Sequence, residues 1–487
     1  MKTRALLFVL LALILIQSTA GSGVLACDSG CYDVLVVGPE RYRTSMERFI
    51  DFKRGQGTNV RYFSIEAICE NQSELDRERS LHDFVASERK GKGIRYLLLV
   101  GTYDQVPTKY VYSPSYECGL ADYNFKPSDW YYGVPDWNDS EVGILGGNLP
   151  EVAVGRLPVR DEEELERTIS KVIEEETNFE PGPLLVLGDA DVVQDSALAT
   201  PHLYYSSSVN LTSQVLVRLL SSGTANVISY SHGTVSALWT SDSNGRWRIL
   251  MSCEQVPEIT ATYGIQYMIA CFTGALDLGN ESLARALITS AKGPALVVAS
   301  TRVEMSGDLI SSRFWDEFLK SSDVGGSMVR ALRSYLLDQS IFSPGEYSFQ
   351  YYSSYLDKAV YGDISWVVRS NRSDQSASPN LLTHTVQQDT APDQTRIIGE
   401  DSAGSEEFSA WLPLAVALAS CAILAGLRRV LHDGGARANS FLTHQPVRLS
   451  KSLRGKVAPQ AQMSYSLSTD SRLLAHISRG QQAQADA

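Results

Sequence analysis

Short apolar runs recur along this chain with helix-forming stretches between them. That alternation restricts the fold more than any other feature. Tyr32–Val37, Val60–Ile65, Tyr96–Gly101 and Glu151–Val154 come first, followed by Leu184–Leu187, Ala225–Ser231, Gln266–Cys271 and Ala295–Ser300. Runs this short and this uniformly apolar suit strands covered on both faces, as in a parallel sheet sandwiched by helices. Helical composition fills the gaps at Ser45–Arg54, Ser73–Glu88, Thr212–Ser221, Glu281–Ser290, Leu309–Lys320 and Gly326–Gln339. Asp161–Glu176 is a strongly acidic amphipathic helix whose one apolar stripe is Leu165, Ile169, Val172 and Ile173. Glu180-Pro-Gly-Pro183 then interrupts the pattern. The expectation is an α/β protein of two subdomains with mostly parallel sheets, residues 27–180 and 181–369.

Two longer apolar segments frame this body. Lys2 and Arg4 precede an apolar run from Ala5 to Ile16, and small residues follow at Ser18, Ala20, Val24 and Ala26. The run is too short to span a bilayer as a helix and reads as a secretory signal, residues 1–26. Phe408 to Leu427 carries no charge and is followed at once by Arg428-Arg429, which reads as a transmembrane helix with its basic flank in the cytoplasm. A Ser-, Asp- and Gln-rich stalk at 370–407 precedes it, and a tail at 428–487 follows. The expected topology is single-pass type I, with the body outside the cytoplasm. Sequons at Asn71, Asn138, Asn210, Asn280 and Asn371 all fall on the outer side and are compatible with it. Val24-Leu-Ala-Cys27 also has some likeness to a lipoprotein cleavage box.

Charge narrows the partners. With 43 Lys and Arg against 56 Asp and Glu the formal charge is −13, although the tail from Arg428 onward is basic. An acidic body lacks the basic face that neutralises phosphates, so no nucleic-acid partner is expected. Of seven cysteines, Cys421 lies in the apolar segment; Cys27, Cys31, Cys69, Cys118, Cys253 and Cys271 are available for disulfides, or for a free thiol. Cys118 and Cys253 are the better disulfide candidates.

Chemistry belongs at the carboxyl ends of the strands, where loops converge on a crevice. Ala225–Ser231 runs into His232-Gly233, and Gln266–Ala270 runs into Cys271. Neighbouring strands would bring imidazole and thiol to one crevice across 39 residues of sequence. A thiolate attacks carbonyl carbon, and an imidazole takes and returns the proton. Gly233 lacks a Cβ, so its N–H, with that of Cys271, could serve as an oxyanion hole. Alone, a His-Gly is commonly a turn and a strand-end Cys commonly a small core residue. Together they form a constellation.

Val227-Ile-Ser-Tyr-Ser-His-Gly233 and Tyr267-Met-Ile-Ala-Cys271 resemble the His and Cys motifs of the caspase-like (clan CD) cysteine peptidases. The chain more narrowly resembles the gingipain family, peptidase family C25. Leu97-Leu-Leu-Val-Gly101, Pro127-Ser-Asp-Trp-Tyr-Tyr132, Val152-Ala-Val-Gly-Arg-Leu-Pro158, Val297-Val-Ala-Ser-Thr301 and Tyr361-Gly-Asp363 follow the family order across about residues 32–368. The resemblance implies a caspase/gingipain-like fold, Cys271 as nucleophile, His232 as acid and base, and Gly233 with Cys271 as oxyanion donors. It also implies a protein or peptide substrate. Family members can carry an acid on the preceding strand to orient the imidazole; here Asp189 or Asp191 could serve, or either is an ordinary turn acid. Asp195 and Asp242 could accept a basic substrate side chain, and Trp239 could wall a pocket. No cofactor is required; structural calcium is associated with some relatives, but no regular ligand spacing is present. Phosphate-loop, His-Glu-x-x-His and Cys-x-x-Cys motifs are absent from the sequence. The expectation is a membrane-anchored cysteine endopeptidase working through a Cys-His dyad and an acyl-enzyme. The alternatives are a transpeptidase of the same fold, or a catalytically silent surface receptor or adhesin.

Overall fold

A computed structural model describes residues 31–368 apart from 71, 74–75, 114–123, 180–183, 189–201, 207–210, 223–225, 242–245, 280, 305–306, 339 and 341–347. The expected signal, stalk, apolar span and tail lie outside the described residues, as do Asp189, Asp191, Asp195 and Asp242. Among the described residues, no helix is long and apolar enough to cross a membrane.

The strands are β1 (Val34–Gly38), β2 (Val60–Ser64), β3 (Tyr96–Val100), β4 (Lys109–Tyr112), β5 (Phe125–Ser128), β6 (Ala153–Leu157), β7 (Leu184–Gly188), β8 (His202–Ser206), β9 (Asn226–Tyr230), β10 (His232–Gly233), β11 (Ala237–Ser241), β12 (Trp247–Ser252), β13 (Thr262–Ile269), β14 (Gly293–Ser300) and β15 (Lys358–Gly362). Ten of them form one sheet in the order β2-β1-β3-β6-β15-β14-β13-β9-β7-β8. Every run expected from the sequence lies in this sheet, with shifts of a few residues at the ends. The two expected halves are thus joined edge to edge: β15 pairs antiparallel with β14 and sets Tyr361 opposite Arg156 of β6. The neighbouring pairs within each half are parallel. Two smaller antiparallel sheets, β4-β5 and β10-β11-β12, were not legible as apolar runs, because each has an exposed face.

The central strands are apolar throughout because both faces are covered. Val34 to Val37 and Leu97 to Val100 are fully buried, and each such side chain contributes about 1.5–3 kcal/mol relative to exposure. The acidic helix is Glu162–Asn178. It begins where Asp161 accepts a hydrogen bond from the Glu164 N–H at 2.9 Å, and Leu165, Ile169 and Val172 are buried as the stripe requires.

Register near the site is fixed by buried polar groups as well as by apolar packing. The Asn226 side-chain oxygen accepts from the Ile265 N–H at 3.0 Å, and Gln266 Nε2 donates to Ser229 Oγ at 2.9 Å. Tyr263 closes the network by donating to Gln266 Oε1 at 3.1 Å. These side chains sit between β9 and β13, and a slip of one residue would strand all of them without partners.

Candidate active site

The parallel register sets Ile269 opposite Tyr230. Carried two residues beyond both strands, it sets Cys271 opposite His232. The chain supports that continuation: Ser231 N–H donates to Ile269 O at 3.2 Å. Gly233 then lies directly against the Cys271 backbone. A Cβ on Gly233 would fall 2.3 Å from Cys271 O and 3.0 Å from Cys271 N, a space no side chain can share. His232 is exposed and Cys271 half-buried.

The turn holding Cys271 is locked from beneath. Phe272 takes a left-handed backbone with φ of 61°, uncommon for a residue with a large side chain. Its N–H donates to Arg302 O at 3.0 Å, and the Gly274 N–H donates to Ser300 O at 2.9 Å. Tyr361, from the Tyr-Gly-Asp motif, donates to Gly274 O at 2.5 Å. Cys271 Sγ itself accepts from the Glu304 N–H at 3.3 Å.

His232 begins the small β10-β11-β12 sheet, paired with Trp239 of β11. Trp239 is half-buried and points its Nε1 toward Thr234 Oγ1 at 3.4 Å. The ring that meets the imidazole is instead Trp247, edge to face at 4.6 Å between centroids, with 57% of its surface exposed. Sequence reasoning missed Trp247, since an isolated Trp in a polar stretch carries no signal. Glu304 and Lys358 were missed for the same reason.

The rival thiols differ sharply. Cys69 and Cys253 are free, not bridged, which corrects the expectation that Cys253 is a disulfide candidate. Cys253 packs against the core beside β12, and its Sγ faces Glu281 O at 4.0 Å. Burial, then the Glu281 charge, pushes this thiol up to about 11, which leaves little thiolate at neutral pH. Cys69 is likewise raised by burial. Cys31 is disulfide-bonded. No group of three or more His, Cys, Asp or Glu among the described residues could hold a metal ion.

The remaining family-like motifs meet around Arg156. Its guanidinium donates to both oxygens of Asp129 at 2.7 Å, joining Pro127-Ser-Asp to Gly155-Arg-Leu-Pro. Asp363 holds the buried Lys53 ammonium at 2.6 Å.

The model of peptidase family C25 matches residues 28–361. Gingipain R2 of Porphyromonas gingivalis is 23% identical over 302 residues, 55% of this chain and 36% of that protein. Gingipain R1 from the same species is 22% identical over 55% of this chain and 27% of its own length. The match therefore spans only about a third of these curated relatives. Among solved structures, the Arg-specific cysteine proteinase gingipain R superposes with a TM-score of 0.53 at 17% identity, over 69% of this chain and 78% of that one. A complex of pro- and mature gingipain domains from P. gingivalis gives a TM-score of 0.52 at 18% identity, over 69% of this chain and 80% of its own.

Proposed function

The chain belongs to peptidase family C25, and on that premise we propose that it is a cysteine endopeptidase acting on polypeptides through Cys271 and His232. The observation that supports the proposal is the contact of Gly233 with the Cys271 backbone, which sets the segments carrying His232 and Cys271 side by side. Cys271 Sγ adds to the scissile carbonyl carbon, forming the S–C bond. The carbonyl oxygen, now an oxyanion, is met by the backbone N–H groups of Gly233 and Cys271. Collapse breaks the C–N bond, and the amine leaves with the proton held by His232. Water, deprotonated by the same imidazole, then splits the thioester, releasing the acid and restoring the thiol. Trp247, against His232, limits where that ring can swing and walls the crevice beside it.

We place this body outside the cytoplasm, anchored by residues 408–427. The apolar span with its basic flank supports that placement, as does the bonded state of Cys31, since disulfides persist in oxidising compartments. The test of the activity is labelling by a peptidyl acyloxymethyl ketone under reducing conditions, with cleavage of a peptide library followed in parallel. Wild type should label and cleave, and Cys271→Ala should do neither while remaining folded. A wild-type protein that stays unlabelled and inert, before and after limited proteolysis, would overturn the proposal in favour of a silent binding role.

A further inference from the structure

We propose that Glu304 and Lys358 are positioning residues for the nucleophile, a buried charged pair that holds Cys271 Sγ and sets how readily it ionises. The inference rests on the peptidase reading above and adds to it a control of the thiol.

Glu304 reaches the sulfur with its main chain and the core with its side chain. Its N–H donates to Cys271 Sγ at 3.3 Å. Its Oε2 accepts from both Lys358 Nζ and Ser300 Oγ, and Lys358 Nζ also donates to Ser300 Oγ at 3.0 Å. The segment that offers the N–H is therefore fastened by its own carboxylate to the ends of β14 and β15, where Ser300 and Lys358 stand opposite each other. Lys358 is fully buried, and the Glu304 side chain is 4% exposed. The ammonium lies 5.7 Å from the centre of the Tyr267 ring, on β13, the strand that leads to Cys271.

Such an ammonium has no solvent to stabilise it. Burial pulls Lys358 down and a Cys271 thiolate pulls it part of the way back, leaving it at about 7. The same attraction acts in reverse: a charged Lys358 favours the thiolate, while the Glu304 charge opposes it. Among the described residues, the other titratable or charged groups named around this end of the sheet are His232, Arg302, Asp277, Asp357 and Lys126. Arg302 is bound to both oxygens of Asp277, at 3.0 and 2.6 Å. Asp357 faces Lys126 at 3.3 Å. Glu304 and Lys358 are thus the pair in contact with the nucleophile's own hydrogen bond.

The two members should act with opposite sign, which a merely structural role would not produce. Lys358→Met removes the cation and leaves the Glu304 charge near the sulfur. Glu304→Gln keeps the N–H and the shape but leaves the cation unopposed. The readout is the rate of Cys271 alkylation by iodoacetamide against pH in the full chain, followed by mass on the Cys271 peptide. Relative to wild type, the midpoint should rise by about one pH unit in Lys358→Met and fall by about as much in Glu304→Gln. Lys358→Arg, which keeps the charge, should stay near wild type. If Lys358→Met does not fold, Glu304→Gln decides: a lowered midpoint sustains the inference. An unchanged or raised midpoint in Glu304→Gln, or shifts of the same sign in both variants, overturns it. Peptide cleavage is scored separately. Opposite shifts in a chain that cleaves nothing would sink the peptidase reading and leave this one standing, and cleavage without shifts would do the reverse.

Discussion

Arg156 and Lys358 are both buried cations in one sheet, each paired with a carboxylate, yet they are built for different ends. Arg156 uses its whole donor set. Beyond Asp129 it donates to Gly101 O at 2.8 Å, Val106 O at 2.9 Å and Pro107 O at 3.3 Å, with none of its side chain exposed. A planar guanidinium with every N–H satisfied fixes two loops and has no capacity left for chemistry. Lys358 meets Glu304 and Ser300, while Glu304 Oε1 lies buried with no hydrogen-bond partner among the described residues. The two pairs are physically linked, since Trp130, next to Asp129, donates from Nε1 to Lys358 O at 2.7 Å. A saturated pair serves as a brace; a partly satisfied pair beside a thiol can respond to the state of that thiol.

The largest effect should come from breaking the brace. Arg156→Ala leaves the Asp129 carboxylate, only 11% exposed, without its partner and should cost about 3–5 kcal/mol of stability, read by urea denaturation. If Lys358→Met cost as much and left the thiol unchanged, the contrast between the two pairs would collapse. Next comes a glycine from each half. Gly233→Ala forces a Cβ onto the Cys271 carbonyl, and the displaced His232 should lower kcat/KM about 100-fold. Gly155→Ala collides with Gly362 O and Ile364 Cβ, each 2.8 Å away. It should cost about 1–3 kcal/mol of stability while leaving turnover per folded molecule unchanged. A turnover defect in Gly155→Ala, once corrected for the folded fraction, would show that the halves do not divide the work this way. The smallest effect is a control away from both pairs. Asp161→Ala removes the cap of the acidic helix and should cost about 1 kcal/mol, with no change in the pH profile of Cys271 alkylation.

Much of the sheet was legible because its strands are buried on both faces and therefore apolar without interruption. The hairpin β4-β5 and the ribbon β10-β11-β12 were not, because half-exposed strands such as Trp247–Ser252 mix charged and apolar residues. The strand Lys358–Gly362 was also missed as a strand, although Tyr361-Gly-Asp363 was noticed, since a single Lys-Ala-Val-Tyr-Gly run is too short to declare itself. His232 and Cys271 were singled out because each directly follows an apolar run. Trp239 was the aromatic expected near the histidine; the fold pairs it with His232 in register but lays Trp247 against the ring.

The order of apolar runs, and hence a parallel sheet with an imidazole and a thiol at two strand ends, is written in the chain itself, because hydrophobic periodicity is a local property. Which groups lie under the sulfur is not local. Glu304 is 33 residues from Cys271 and 54 from Lys358. Their meeting depends on β15 entering the sheet beside β14, an event no short window of sequence records. Tertiary packing alone buried that lysine and carboxylate together, where low solvation gives their charges leverage over the thiol.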